Sequence, residues 1–159
     1  MFARGLVTAI ITLIIDQASK WYLLEIFRLP SRGVVEVLPF FNLTMVWNRG
    51  ISFGLFPADG DHGRWFLVAF TLVVAGVVIL WLKKAEDRLA ALALGLILGG
   101  ALGNIIDRIR FGAVADFVQL HAAGYSFFIF NVADAAISVG VALLFLDAIL
   151  SHRGAKTRA

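Results

Sequence analysis

The sequence predicts an all-α membrane protein, four transmembrane helices with a small extracytoplasmic β element and a short outer helix or loop. Three observations carry this. Of the 159 residues 60% are hydrophobic and only 16% charged, whereas soluble chains are roughly half apolar and about a quarter charged. Four runs, at about 4–27, 65–82, 89–106 and 127–146, approach or reach the roughly 17 to 25 residues that cross about 30 Å of hydrocarbon, and the middle two carry no charge. The runs are continuous, whereas a closed β-barrel needs short alternating segments.

The first run opens like a secretory signal, with Arg4 ahead of an apolar core. Asp16 and Lys20 interrupt it and no small-x-small cleavage site follows, so it reads as a retained first helix. Segment 28–64 is the first outer connection. Within it 34–37 and 43–47 mix β-branched and aromatic residues around Pro39 and Asn42, the pattern of a small β element. The third run carries Gly95, Gly99 and Gly103 at four-residue spacing, a ridge that admits a close helix neighbour. Segment 107–126 is the second outer connection, and 1–159 reads as a single integral domain.

Orientation follows from charge. Arg4, the cluster Lys83, Lys84 and Arg88, and the tail residues Arg153, Lys156 and Arg158 place both termini in the cytoplasm, against the opposing Arg28, Arg32, Arg49 and Arg64. Trp21, Tyr22, Trp47, Trp65 and Tyr125 fall near the predicted outer boundary and Trp81 near the inner one, the depths where amphipathic rings settle. The expected location is a cell membrane, spanned four times. The absence of cysteine excludes disulfides, thiolate nucleophiles and cysteine-ligated zinc. A net charge of +3 sits mostly at helix ends, which speaks for topology and against nucleic acid. His62, His121 and His152 show no ligand spacing and read as solvated; no metal or other cofactor is expected.

Polar residues inside hydrocarbon cost about 2.5 to 3.5 kcal/mol each near the centre, so each needs a partner or a task. Asp16 lies roughly 18 Å along the first helix, in its outer half, and Lys20 one turn further on the same face. The third run ends with Asn104, Asp107 and Arg108 on one face; the fourth opens with Asn131 and Asp134 at i, i+3. Asp116 lies on the connection between them. Plainer readings stand beside each: Asp16 and Lys20 as a self-neutralising pair, Asp107 and Arg108 as interfacial charges, Asn48 and Asn131 as turn or cap residues. Asp134 resists such a reading, since its own segment offers no nearby cation.

Two carboxylates in a low-dielectric site hold one proton between them. The ionised member then activates water while the protonated member assists the carbonyl oxygen, which is aspartic peptidase chemistry. Three alternatives compete. A small proton-coupled transporter would trace polar groups across the membrane, but here they gather at one side and no inverted repeat is visible. A Ser-Lys peptidase would pair Lys20 with Ser52, Ser126 or Ser138, none in a supporting motif. A helical scaffold leaves Asp134 without purpose.

Motif order narrows the choice. The chain resembles the bacterial lipoprotein signal peptidases (signal peptidase II) through Asp16-x-x-x-Lys20, Asn48-Arg49-Gly50-Ile51-Ser52-Phe53-Gly54, Gly103-Asn104-Ile105-Ile106-Asp107-Arg108, Gly112-x-Val114-x-Asp116-Phe117 and Phe130-Asn131-x-Ala133-Asp134. The resemblance implies an aspartic endopeptidase that removes signal peptides from prolipoproteins, cutting on the amino side of a diacylglyceryl-modified cysteine. Its partners are those substrates and membrane lipids, with no obligate protein partner. It implies Asp116 and Asp134 as catalytic residues and Asp16, Lys20, Asn48, Gly54, Asn104, Arg108 and Asn131 as substrate-binding or supporting ones. Asn104 and Asn131 are expected to orient the aspartates or substrate, Arg108 to counter negative charge, and Asp16 with Lys20 to hold the helices. Segment 28–64 is expected to close over the substrate, with Gly50, Gly54 and Gly60 as flexible points.

Overall fold

The computed structural model describes residues 1–50, 60–122 and 125–156. Helix α1 (Phe2–Trp21) continues into one π-helical turn, Tyr22–Ile26, followed by the short α2 (Leu29–Arg32). Strands β1 (Val35–Leu38) and β2 (Phe41–Asn48) come next, then α3 (Gly60–Lys84) and α4 (Arg88–Phe111). Strands β3 (Val114–Ala122) and β4 (Tyr125–Phe130) lead into α5 (Val132–Lys156). Four helices are long and apolar enough to cross a membrane: the α1 segment through Ile26, α3, α4 and α5.

Helix α4 is the centre of the bundle. Two-thirds of its apolar window (67%) is buried, against 11% for α5, and α1, α3 and α5 each pack on it. The glycine ridge explains the closeness of α1. A Cβ at Gly99 would stand 2.7 Å from Thr12 Cβ and 3.1 Å from Ala9 Cα, and one at Gly103 would strike the Asp16 carboxylate. Gly100 and Gly140 give α4 and α5 the same intimacy, against Ala133 and Ile97. With little hydrophobic drive between helices in lipid, such close backbone packing is the main source of association.

The β element is larger than the sequence reading. All four strands form one antiparallel sheet in the order β1-β2-β3-β4. Residues 127–130, expected to begin the fourth helix, are the end of β4, and α5 starts only at Val132. The physical reason is a run of apolar residues too short to distinguish strand from helix by periodicity. The sheet docks on the bundle through Phe117, Leu23 and Leu29, all buried, packed with Phe27, Leu43, Met45 and Val132. Trp21, Tyr22, Trp47, Trp65, Trp81 and Tyr125 are all exposed on the surface of the protein.

Candidate active site

Two turns aim the polar residues. Helix α4 ends at Gly112, whose φ of 78° is the left-handed conformation a helix stop favours in glycine, and its N–H bonds to the Arg108 carbonyl at 3.1 Å. The chain reverses there into β3, and Asp116 arrives four residues later opposite Val46 of β2. At the other turn β4 gives way to α5 with Asn131 as cap. Its Oδ1 accepts from the Asp134 N–H at 2.9 Å, and its own N–H reaches Asp134 Oδ2 at 3.4 Å. This reciprocal capping box fixes Asp134 in the first turn of the helix.

A chain of amides joins the two carboxyls. Asn131 Nδ2 donates to Asp116 Oδ1 at 2.6 Å and to Asn104 Oδ1 at 3.3 Å; Asn104 Nδ2 donates in turn to Asp134 Oδ1 at 2.9 Å. Asn48 Nδ2 holds the other Asp116 oxygen at 3.0 Å, two residues along β2 from Val46 and so on the same face. Asp116 is buried and Asp134 half-buried. Burial first, and the Asp134 charge second, push the Asp116 carboxyl up to about 7, against the pull of the Asn48 and Asn131 amides toward the ionised form.

Asp16 and Lys20 belong to an adjoining cluster. Lys20 Nζ lies 2.8 Å from Asp16 Oδ2 and 2.7 Å from Asp107 Oδ2, all three side chains buried. Gln17 Nε2 donates to both carboxylates, at 3.1 Å to Asp16 and 3.0 Å to Asp107. Asp16 Oδ1 accepts from the Ala133 N–H at 2.9 Å, and Asp107 Oδ2 from the Ala115 N–H at 3.2 Å. Each of those N–H groups immediately precedes a candidate catalytic aspartate. Asp107 is therefore no interfacial charge, as one sequence reading had it, but a second acceptor for the Lys20 ammonium. Gln17 was missed altogether; its place one residue after Asp16 on a polar stretch of an apolar helix was the available signal.

Arg108 is buried and serves backbone: Nη2 donates to the Gly50 carbonyl at 2.9 Å and Nη1 to the Asn104 carbonyl at 3.4 Å. Gly50, expected as a flexible point, is buried and held from both sides, since its N–H also bonds to Asn48 Oδ1 at 3.0 Å. Gly54 lies outside the described residues. His121, expected to be solvated, is half-buried with its Nε2 shielded and without a partner among the described residues. Among the described residues no three His, Asp or Glu side chains gather to hold a metal ion.

A family model described as signal peptidase (SPase) II matches residues 8–150. The chain belongs to the signal peptidase II family. A lipoprotein signal peptidase of Methylobacterium radiotolerans is 51% identical over 99% of this chain and 92% of its own length. One from Methylobacterium sp. strain 4-46 is 50% identical over 93% of this chain and 90% of its own. A solved bacterial membrane enzyme superposes with a TM-score of 0.81 at 28% identity, covering 93% of this chain and 88% of that one. The protein is thus a multi-pass membrane peptidase of the signal peptidase II family.

Proposed function

We propose that the protein removes signal peptides from prolipoproteins on the amino side of a diacylglyceryl-modified cysteine, with Asp116 and Asp134 as the catalytic pair. Family membership supports the reaction. The observation that carries the residue assignment is the bridge of Asn131 and Asn104 between the two carboxyls, which holds them in one network with neutral groups.

In this reading Asp116, with its raised pKa, carries the proton of the pair, and Asp134 is the base, placed where the N–H groups of the first helical turn favour a carboxylate. Asp134 takes a proton from water as the water oxygen bonds to the scissile carbonyl carbon. Asp116 gives its proton to the carbonyl oxygen. As the C–N bond breaks, the proton on Asp134 passes to the leaving amine and Asp116 recovers one from the diol, restoring the starting state. Arg108 fixes Gly50 beside Asn48 and so supports the Asp116 side.

We further propose that the sheet and the pair lie at the extracytoplasmic face of the inner membrane, with both termini cytoplasmic. Lys83, Lys84 and Arg88 cluster at the end of α3 and start of α4, remote from the pair. Of the opposing arginines, Arg32 is tied to the Phe27 carbonyl and ring, and Arg64 to the Ile109 carbonyl. An active site at that level meets both water and a lipid-anchored substrate. The test is cleavage of a lipidated prolipoprotein by purified Asp116→Asn and Asp134→Asn protein. Each is expected to lose activity without losing thermal stability; near-parental cleavage by either refutes the pair.

A further inference from the structure

Among the described residues four buried side-chain nitrogen or oxygen atoms lack a hydrogen-bond partner, and two of them, Asn42 Oδ1 and His121 Nε2, belong to residues that line one cavity. That cavity, of about 540 Å³, sits at the β1–β2 corner of the sheet, with Glu36, Leu38 and Pro39 completing its wall. A buried polar atom left unpaired is costly, and two at one cavity call for a ligand that pairs them. The register brings the groups together. Glu36 stands opposite Asn42, and Asn42 opposite Gln119. His121 follows Gln119 by two residues and shares its face, diagonal to Asn42 and within reach of a long side chain. Its N–H bonds to the Phe40 carbonyl at 3.1 Å, which ties it to the turn between β1 and β2.

Asn42 is only 9% exposed. Its Nδ2 is spent on Gln119 Oε1 at 3.2 Å, and Gln119 Nε2 on Ser126 Oγ at 2.9 Å, which leaves the Asn42 carbonyl oxygen as the free end of the chain. The Glu36 side chain is exposed, and no Lys or Arg among the described residues lines the cavity. An imidazole nitrogen, a carboxylate and an amide carbonyl, with no cation beside them, are the donor set for a metal ion. The nitrogen lone pair selects a borderline divalent ion over Ca²⁺ and Mg²⁺, which prefer oxygen throughout. We propose that Glu36, Asn42 and His121 form a Zn²⁺ site, one ligand from each of β1, β2 and β3, with water filling the remaining position. The ion clamps the three strands at the end of the sheet away from the candidate pair: His121 is five residues of β3 beyond Asp116, about 17 Å. The site stands on the sheet alone and is independent of the peptidase reading.

The experiment uses the untagged full chain in neutral detergent, stripped with a chelator and titrated with Zn²⁺, Ca²⁺ or Mg²⁺. Equilibrium dialysis reads bound metal, and thermal unfolding reads the gain in stability that binding to the folded state confers. The parent is expected to bind one Zn²⁺ per chain saturably and to unfold at a higher temperature with it, with Ca²⁺ and Mg²⁺ at least about 10-fold weaker. His121→Gln and Glu36→Gln should each weaken Zn²⁺ by at least about 10-fold and lose the thermal gain, while the metal-free unfolding temperature stays near the parent's. Asn42→Asp adds a second carboxylate in nearly the same shape and should tighten Zn²⁺ about 10-fold, a gain that a misfolded variant could not show. His62→Ala should bind as the parent does. A parent that takes up no Zn²⁺ below about 1 mM, or binding that survives both His121→Gln and Glu36→Gln unchanged, would overturn the site. So would Ca²⁺ binding as tight as Zn²⁺, because it would show that the imidazole is not a ligand.

Discussion

Two buried clusters share the same level of this bundle and the same residue type, yet their carboxylates are treated in opposite ways. Asp16 and Asp107 face one ammonium, Lys20, and spend their remaining oxygens on Gln17 and on the N–H groups of Ala133 and Ala115. The Asp116 oxygens accept from amides, Asn48 and Asn131, while the charges of Lys20, Arg108 and Asp134 act on it without a direct hydrogen bond to it. An ammonium neutralises a carboxylate, whereas an amide orients it and leaves its charge for a proton to settle. The first cluster therefore holds α1, α4, β3 and α5 together, and the second is left able to exchange a proton. Buried ion clusters are weak sources of net stability but costly to break, which suits a scaffold whose function is to hold its neighbour in register.

Variants of each cluster should separate these roles. The largest effect is expected on catalysis: Asp116→Asn or Asp134→Asn should lower kcat by about 10²–10⁴-fold, the span of a lost general acid or base, with no loss of unfolding temperature. Lys20→Met should do the reverse, destabilising by about 3–5 kcal/mol because it strands two buried carboxylates. Denaturation in detergent and activity per folded molecule distinguish the two. Next in size, Gly99→Ala should cost about 1–3 kcal/mol, since its methyl meets Ala9 backbone and Thr12, again without altering the pair. The smallest shift tests the amides themselves. Asn48→Ala removes a donor that favours ionised Asp116, so the Asp116 midpoint should move further above 7 by infrared titration.

Stability should carry the same signature with a definite sign. The Asp116 midpoint near 7 lies above the value near 3.9 of an unfolded aspartate. Between those limits the folded chain binds the extra proton, so its contribution to stability declines as pH rises from about 4 to 7 and is level beyond. Asp116→Asn should flatten that part of the unfolding-temperature profile.

Much of this was legible in the sequence because lipid forces polar residues to declare themselves. The apolar runs located the helices, the Gly95, Gly99 and Gly103 spacing marked a close helix neighbour, which is α1, and helix geometry brought Asn104, Asn131 and Asp134 to one level. Three things were hidden. Strand β3 pairs with β2, some seventy residues upstream, and Tyr125–Phe130, which pairs back onto β3, reads as apolar without a visible period. Asp107 and Arg108 are neighbours on one stretch of α4 but turn to different clusters, which depends on the azimuth of α1 against α4. Asp116 took its role from a family motif, because nothing local in Val114-Ala115-Asp116-Phe117 reveals that Gly112 folds it back onto Asn131.

The contrast between the clusters is tested most directly by titrating the protonated-carboxyl infrared band of the purified protein, parent against Asp116→Asn. One buried carboxyl should lose its proton with an apparent midpoint near pH 7 in the parent, and that transition should be missing or displaced in the variant. A parent whose carboxyls all titrate near pH 4, or a midpoint near 7 that survives the substitution unchanged, would contradict the assignment of the shared proton to Asp116 and Asp134.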